Sequence, residues 1–219
     1  MTRAVKTRPY DSTRRHAASH ERRAAILAAA RELFLERGYQ RTTMAAVAQG
    51  AGVALDTVYE LVGRKPDLFR LLLETSISGG TEPVPAEERG YVRQIHAEPT
   101  AAGKLSTYAR ALPAIHAQLA PLIAVVHAAA TAEPEINRLW QGITHRRAAN
   151  MRRLALELEV TGELAVSIDE AADVIWATNS PEFYVLLVHE RGWSPDRYAD
   201  WLTTSWQRLL LRQPAPDRG

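Results

Sequence analysis

The chain of 219 residues contains no cysteine. Disulfide frameworks, thiolate nucleophiles, thiol-based redox sensors and cysteine-ligated metal sites are therefore excluded, and a reducing compartment is favoured. Lysine is also scarce, since only Lys6, Lys65 and Lys104 stand among the 27 basic residues. A hydrophobic fraction of 46% with 24% charged residues is typical of a globular protein with a sizeable core, which excludes a disordered chain.

The net charge of +2 hides an uneven distribution along the chain. Residues 1–70 carry a formal charge of +6, whereas residues 71–219 carry −4. This segregation predicts that the N-terminal third of the chain binds a polyanion and that the remaining two thirds have a different function. No apolar run follows the charged start before Ile26, so we expect no secretory signal.

One uncharged run, from Ala111 to Ala132, is long enough to cross a bilayer. It contains Pro113, Pro121 and two histidines, and alanine makes up much of the rest. Interior helices of a protein outside the membrane are the favoured interpretation.

Helical periodicity without sustained strand alternation predicts an all-α protein. The predicted helices span residues 21–37, 43–50, 54–61, 65–77, 87–96, 104–120, 121–132, 134–161, 168–190 and 195–212. We expect a kink or interruption at Pro113, a new segment after Pro121, and a break at Asn179–Pro181, where Ser180 and Pro181 resemble a helix start. The predicted units are a flexible basic arm at 1–20, an N-terminal unit at 21–77, a helical body at 78–212 and a tail at 213–219.

The stretch from Thr43 to Tyr59 has the residue pattern of a helix-turn-helix. Ala48 is small where two helices would cross, Gly52 tolerates the positive φ of a tight turn, and Val58 can pin the second helix to the first. In a basic region, this pattern predicts that the second helix enters the major groove of DNA. A helical hairpin within an all-α core is the alternative, but it leaves the charge segregation unexplained.

These residues resemble the TetR family of bacterial transcriptional regulators. The resemblance is carried by Ile26 to Phe34, Gly38-Tyr39, Thr42 to Ala48, Val53, Thr57-Val58-Tyr59, Lys65 and Leu68-Phe69. It implies an N-terminal three-helix helix-turn-helix DNA-binding domain and a C-terminal helical domain for ligand binding and dimerisation. The implied protein is a cytoplasmic repressor that needs no cofactor, is not an enzyme, binds an inverted-repeat DNA operator as a homodimer, and is released by a small-molecule effector.

Roles in DNA binding follow from the resemblance position by position. Thr43 resembles the family's N-cap at a phosphate, Thr57 and Tyr59 its phosphate-contacting hydroxyls, and Lys65 its lysine at the start of the fourth helix. The full predicted contact set is Arg41, Thr43, Ala54, Leu55, Asp56, Thr57, Tyr59 and Lys65.

The second helix of the motif departs from the family pattern. Ala54 stands where serine is common, Asp56 where glycine is common, and Val62 where an aromatic residue is common. Because the helix lacks Arg, Asn and Gln, base reading is expected from thymine-methyl contacts, from an acid accepting from cytosine, or from Arg41 and Arg64 at the margins.

Two roles of the basic arm at 1–20 remain open. Arg14 and Arg15 could contact the minor groove, or the arm could be a solubilising tail.

The helical body at 78–212 offers candidate residues for effector binding and for dimerisation. The effector-binding candidates are Tyr108, His116, His127, Trp140 and His145. The dimer-interface candidates are Trp176, Tyr184, Leu187, Trp201, Leu202 and Leu209. The alternative for each set is an ordinary place in the core of a single chain. The arginines at 146, 147, 152 and 153 are interpreted as a solvated helix face rather than as an anion site.

Two other functions stay open at this point. One is a DNA-binding regulator without a small-molecule effector. The other is an all-α enzyme, which is disfavoured because the sequence has no glycine-rich phosphate loop, no nucleophile elbow and no carboxylate pair near a histidine.

Overall fold

The structure is a computed structural model that describes residues 12–213. Within this range the chain is helical, and the one β-type contact is an isolated bridge between Leu164 and Leu211. The helices are α1 (Ser12–Arg41), α2 (Met44–Ala51), α3 (Leu55–Val62), α4 (Lys65–Ser78), a 3-10 turn (Ala86–Glu88), α5 (Gly90–Ala97), α6 (Ala101–Ala130), α7 (Pro134–Val160), α8 (Ile168–Thr178), α9 (Pro181–Tyr184) continuing as a π-helix (Val185–Glu190), and α10 (Pro195–Leu210). The all-α prediction is confirmed.

Helix α1 is longer at both ends than predicted. It begins at Ser12, so residues 12–20 are helical and do not belong to a flexible arm, while residues 1–11 lie outside the described range. A helix nucleated by a buried apolar face can extend into an alanine-containing polar segment at little cost. At the other end, Gly38 adopts a positive φ of 74° directly after the predicted helix end at residue 37, and helical structure resumes as far as Arg41.

Helix α6 is a single helix of 30 residues, which corrects the predicted division at Pro113 and Pro121. Each proline removes one intrahelical hydrogen bond, but the helix is held on both sides by α1, α4, α7 and α10. Its length and apolar composition would suffice to cross a membrane. In the structure its apolar residues, including Leu105, Leu112 and Leu122, are buried against these neighbouring helices.

The buried side chains form two clusters that share α6. The N-terminal core contains residues of α1 to α4, such as Phe34 and Val58, together with Leu122 from the second half of α6. The C-terminal core contains residues of α5 to α8 and α10, such as Leu105 and Trp206. The packing therefore does not divide at residue 77, because the second half of α6 belongs to the N-terminal core.

The predicted break near Pro181 is confirmed. Asn179 caps α8, and the Ser180 hydroxyl accepts a hydrogen bond of 3.1 Å from the Phe183 backbone N–H at the start of α9. This break places Asn179, which is buried, at the junction of two helices.

Candidate DNA-binding surface and ligand cavity

The helix-turn-helix is built by local capping and one tight turn. The Thr43 hydroxyl accepts a hydrogen bond of 3.1 Å from Ala46 N–H and so caps α2. Gly52 ends α2 with a φ of 65°, a left-handed conformation that favours glycine. The Val53 N–H then donates to the Ala48 carbonyl at 3.1 Å, which turns the chain towards α3.

Small and branched residues set the distance between the helices of the motif. Val47 and Val58 are completely buried, and Ala48 is nearly so, as the predicted crossing requires. A Cβ added at Gly50 would lie 3.2 Å from the Ala29 Cβ, so α1 and α2 are also in close contact. These contacts fix α3 in one orientation on the scaffold.

An aromatic cluster joins α1 to α4. The Phe34 ring lies edge-on to Phe69 with 4.7 Å between centroids and is stacked on Tyr39 at 5.7 Å. The buried Thr42 hydroxyl donates to the Leu33 and Gly38 carbonyls. The cluster therefore holds the end of α1 and the start of α4 on either side of the helix-turn-helix.

The predicted DNA contacts lie on this N-terminal unit with most of their side chains accessible. Six are exposed, namely Arg41, Thr43, Ala54, Leu55, Asp56 and Tyr59, and two are half-buried, Thr57 and Lys65. Tyr59 has 46% of its surface exposed, which is high for an aromatic residue in a folded chain. The N-terminal turn of α3 thus presents an apolar residue, an acid and a tyrosine to solvent.

Lys65 is held in position by the end of α1. Its Nζ donates to the Gln40 carbonyl at 3.3 Å and lies 4.2 Å from the centroid of the Tyr39 ring. Burial lowers the pKa of Lys65, and the nearby Glu133 carboxylate opposes this effect. The ammonium group is fixed at the edge of the exposed surface, where it retains unused donor capacity.

A second feature is a cavity of about 880 Å³ between α4, α5, α6 and α7. Much of its wall is apolar, with Leu73, Ile77, Leu112, Ile143 and Leu154 among the lining residues. A volume of this size is within the range of ligand pockets. Since α4 also packs against the helix-turn-helix, the cavity touches the element that supports the DNA-binding surface.

The polar lining is organised around Asn179. The Arg147 guanidinium donates at 2.8 Å to the Asn179 side-chain oxygen, and the Asn179 amide donates at 2.6 Å to the Tyr108 hydroxyl. His116 Nε2 lies 2.9 Å from the Asn179 backbone oxygen. Burial lowers the pKa of His116 to about 4, so the ring is neutral near pH 7 and Nε2 carries the hydrogen.

The structure separates the predicted effector-binding residues. Tyr108 and His116 line the cavity, whereas His127, Trp140 and His145 do not. His127 shares a face of α6 with His116 but lies 11 residues, or about 16 Å, farther along the axis. There its ring packs edge-on against Trp140 at 4.5 Å between centroids. His145 faces solvent from α7.

Several polar residues that line the cavity were missed in the sequence, among them Arg146, Arg147 and Arg153, which were interpreted as a solvated face, and Asn179. Arg147 was assigned to a solvated face, although it stands four residues after Ile143 and four before Met151, both of which line the cavity. This spacing places it on the inward stripe of α7 and is a signal that could have found it. Asn179 gave no such signal, because its role depends on the break between α8 and α9.

The predicted dimer-interface residues also divide into two groups. Tyr184 and Leu202 are buried in the core of the single chain, which corrects their assignment to an interface. In α10 the inward stripe consists of Tyr198, Leu202, Trp206 and Leu210, so Leu202 points away from the surface. Trp176, Leu187 and Trp201 are half-buried, and Leu209 has 58% of its surface exposed.

Residues 26–71 match the sequence model of the bacterial regulatory proteins of the tetR family. This range covers α2 and α3 and about half of α1 and of α4. The N-terminal part of the chain matches the TetR family. The predicted resemblance is thereby confirmed.

Two individual proteins are similar to the chain over different lengths. The HTH-type transcriptional regulator HbdR of Aromatoleum sp. (strain CIB) is 32% identical over 75 residues, which are 34% of this chain and 33% of HbdR. The similarity thus spans about a third of that relative. NalD of Pseudomonas aeruginosa, the secondary repressor of the MexAB-OprM multidrug efflux pump, superposes with a TM-score of 0.67 at 22% identity, covering 90% of this chain and all of NalD. At this identity the likeness to NalD shows a shared fold.

Proposed function

We propose that the protein is a transcriptional repressor that binds a double-stranded DNA operator through α3 and is released by a small molecule bound in the cavity. The observation that carries the proposal is the exposed N-terminal turn of α3, with Leu55, Asp56 and Tyr59, on a TetR-family helix-turn-helix. A protein of this kind acts in the bacterial cytoplasm and is not an enzyme.

The contact set divides into phosphate and base contacts. Thr43, Tyr59 and Lys65 present hydroxyl or ammonium groups at the rim of the surface and suit phosphates. Leu55 and Asp56 lie at the tip of α3 and suit base edges, by a thymine-methyl contact and by accepting from cytosine. Because α3 has no Arg, Asn or Gln, this surface would make few bidentate hydrogen bonds to purine bases.

Lys65→Met tests the phosphate contacts. Because Lys65 would neutralise one phosphate, the variant is expected to bind every DNA sequence more weakly, with a slope of log affinity against log salt that is smaller by about one. The measurement is fluorescence anisotropy of labelled DNA over a range of salt concentrations. Leu156→Ala, at an exposed residue on α7, is the control. An unchanged salt slope would remove Lys65 from the phosphate contacts.

The route from the cavity to the DNA-binding surface runs through α4 and α6. Arg70, Leu73 and Ile77 of α4 line the cavity. The Arg31 guanidinium of α1 donates at 2.8 Å to the Gln118 carbonyl of α6, close to the cavity residue Leu119. A ligand that shifts α4 or α6 would therefore change the position of the helix-turn-helix, and a coupling of about 1–3 kcal/mol would change DNA affinity roughly 5–150-fold.

A homodimer completes the proposal, with the interface on the outer faces of α8, the π-helix and α10. Exposed or half-buried Trp176, Leu186, Trp201 and Leu209 supply an apolar surface there. A two-fold dimer would place two copies of α3 about 34–36 Å apart and would require an inverted-repeat operator. Sedimentation equilibrium is expected to give a dimer at micromolar concentration, and a monomer would contradict this part of the proposal.

A further inference from the structure

One end of the cavity carries a group of polar residues whose hydrogen-bonding capacity is only partly used. We propose that this end, formed by Arg147, Asn179, His116 and Tyr108, binds the acid group of an amphipathic carboxylic acid whose tail fills the apolar part. The inference rests on the proposed function, because it names the chemical class of the effector.

Arg147 supplies a positive charge that is not paired with a carboxylate in the described part of the chain. Both of its hydrogen bonds come from a single nitrogen, to the Trp176 backbone oxygen and to the Asn179 side chain, each at 2.8 Å. Its burial lowers the pKa of Arg147, since charge is costly away from water. Glu182 raises this pKa from a distance, and its carboxylate lies 3.3 Å from His127 instead. An acid would supply the missing counter-charge and accept from the unused nitrogens.

His116 supplies an acceptor that has no partner. Its Nε2 hydrogen is directed at the Asn179 carbonyl, and the other ring nitrogen, Nδ1, is buried without a hydrogen bond. The charged or titratable groups around this ring are Arg147 from α7, Tyr184 from α9 at 5.6 Å between ring centroids, and Tyr108 on the same helix. None of these donates to Nδ1, so a ligand that carries a hydrogen-bond donor would satisfy it.

A carboxylic acid meets the hydrogen-bonding requirements of both residues, and in its carboxylate form it also supplies the counter-charge to Arg147. Its carbonyl oxygen can accept from Arg147 and from the Tyr108 hydroxyl, whose only acceptor is a weak one, the Met151 sulfur at 3.7 Å. Its O–H can donate to Nδ1, or transfer the proton and leave a carboxylate beside an imidazolium. In either form one proton lies between the ligand and His116. An ammonium group would instead face the Arg147 cation.

The first experiment compares three probes with the same tail, namely octanoate, octanamide and octylamine. Calorimetric titration into the full chain is expected to show octanoate binding roughly tenfold to a hundredfold more tightly than octylamine, with octanamide between them. Arg147→Met is expected to remove the preference for octanoate. Arg152→Met, on the exposed face of α7, is the matched control and should retain it. Equal binding of the three probes, or tighter binding of octylamine, would overturn the inference.

The second experiment counts protons in the intact protein. Octanoate is ionised at pH 7, so its binding with one proton should take up close to one proton from the buffer, measured from titrations in two buffers with different ionisation enthalpies. His116→Gln cannot hold this proton and should reduce the uptake towards zero. Binding without proton uptake by the wild type would contradict the role of His116 and therefore the inference.

The failure of this inference and the failure of the repressor proposal give different results. If octanoate binds with the expected preference but leaves DNA affinity unchanged, the ligand class stands and effector-controlled release fails. If DNA binding is intact but the three probes bind alike, the ligand class fails and the DNA-binding proposal stands.

Discussion

The two cores of the chain differ in what they bury. In the N-terminal core the buried polar residues are Thr42 and Thr75, whose hydroxyls donate to backbone carbonyls. The C-terminal core buries the polar or charged side chains of Lys104, His116 and Asn179. Both cores border the cavity of about 880 Å³, but His116 and Asn179, which line it, are packed against the C-terminal core. The N-terminal core thus supports an exposed helix, whereas the C-terminal core supplies buried polar groups to the cavity. This contrast suits a unit that presents a surface and a unit that receives a ligand.

The largest expected effect on stability comes from removing one large aromatic residue from each core. Phe34→Ala and Trp206→Ala each empty a completely buried site and are expected to lower the free energy of unfolding by about 3–5 kcal/mol. Because α6 packs in both cores, both variants should still unfold in one transition, monitored by circular dichroism in urea. Two separate transitions for Phe34→Ala would show that the cores unfold independently.

The next effect is a pH dependence that only the C-terminal core should show. The pKa of His116 is lowered to about 4 by burial, so protonation favours the unfolded chain, in which a histidine titrates near 6.5. The stabilising contribution of this group is complete above pH 6.5 and is lost as the pH falls towards 4, by about 3 kcal/mol. Urea unfolding at a series of pH values should show the loss in the wild type and in His145→Gln, but not in His116→Gln. A loss of equal size in His116→Gln would assign it to other groups.

A smaller effect tests the turn that orients α3. Gly52 has a φ of 65°, so Gly52→Ala is expected to lower stability by about 1 kcal/mol or more and to weaken DNA binding. Gly142 lies inside α7, and Gly142→Ala should raise stability by about 0.5–1 kcal/mol. Thermal unfolding of both variants gives the comparison. If Gly52→Ala does not lower thermal stability, the turn does not require a residue that adopts a positive φ.

The smallest effect concerns the cap of α2. Thr43→Ala removes the hydrogen bond to Ala46 N–H and is expected to cost about 1 kcal/mol, whereas Thr43→Ser should be nearly neutral. Denaturant midpoints measure both changes. Equal losses in the two variants would assign the role of Thr43 to its methyl group instead of its hydroxyl.

The N-terminal unit is the part that local sequence determines most fully. Thr43, Ala48, Gly52 and Val58 each have a role that depends on neighbours within a few residues, so their spacing predicted the geometry. The start of α1 was misplaced because residues 16–20 bury no apolar face, and periodicity cannot detect a helix extension of that kind.

The C-terminal unit depends on contacts between distant parts of the chain. His127 was assigned to the effector site and Leu202 to the dimer interface from residue type alone. The position of His127 along α6 places it against Trp140, and the position of Leu202 on the inward face of α10 places it in the core. Arg147 was dismissed as a surface charge although its spacing matched the inward stripe. Asn179 joins Arg147, His116 and Tyr108 across three helices, an arrangement that no local pattern contains.

Selection of bound duplexes from a random library by the full chain tests most directly whether the N-terminal turn of α3 reads DNA. We expect enrichment of inverted repeats with half-sites about one helical turn apart. Asp56→Asn should change the enriched bases, whereas Glu159→Gln, at an exposed acid on α7, should leave them unchanged. No enriched sequence, or the same sequence for Asp56→Asn as for the wild type, would contradict DNA reading by α3.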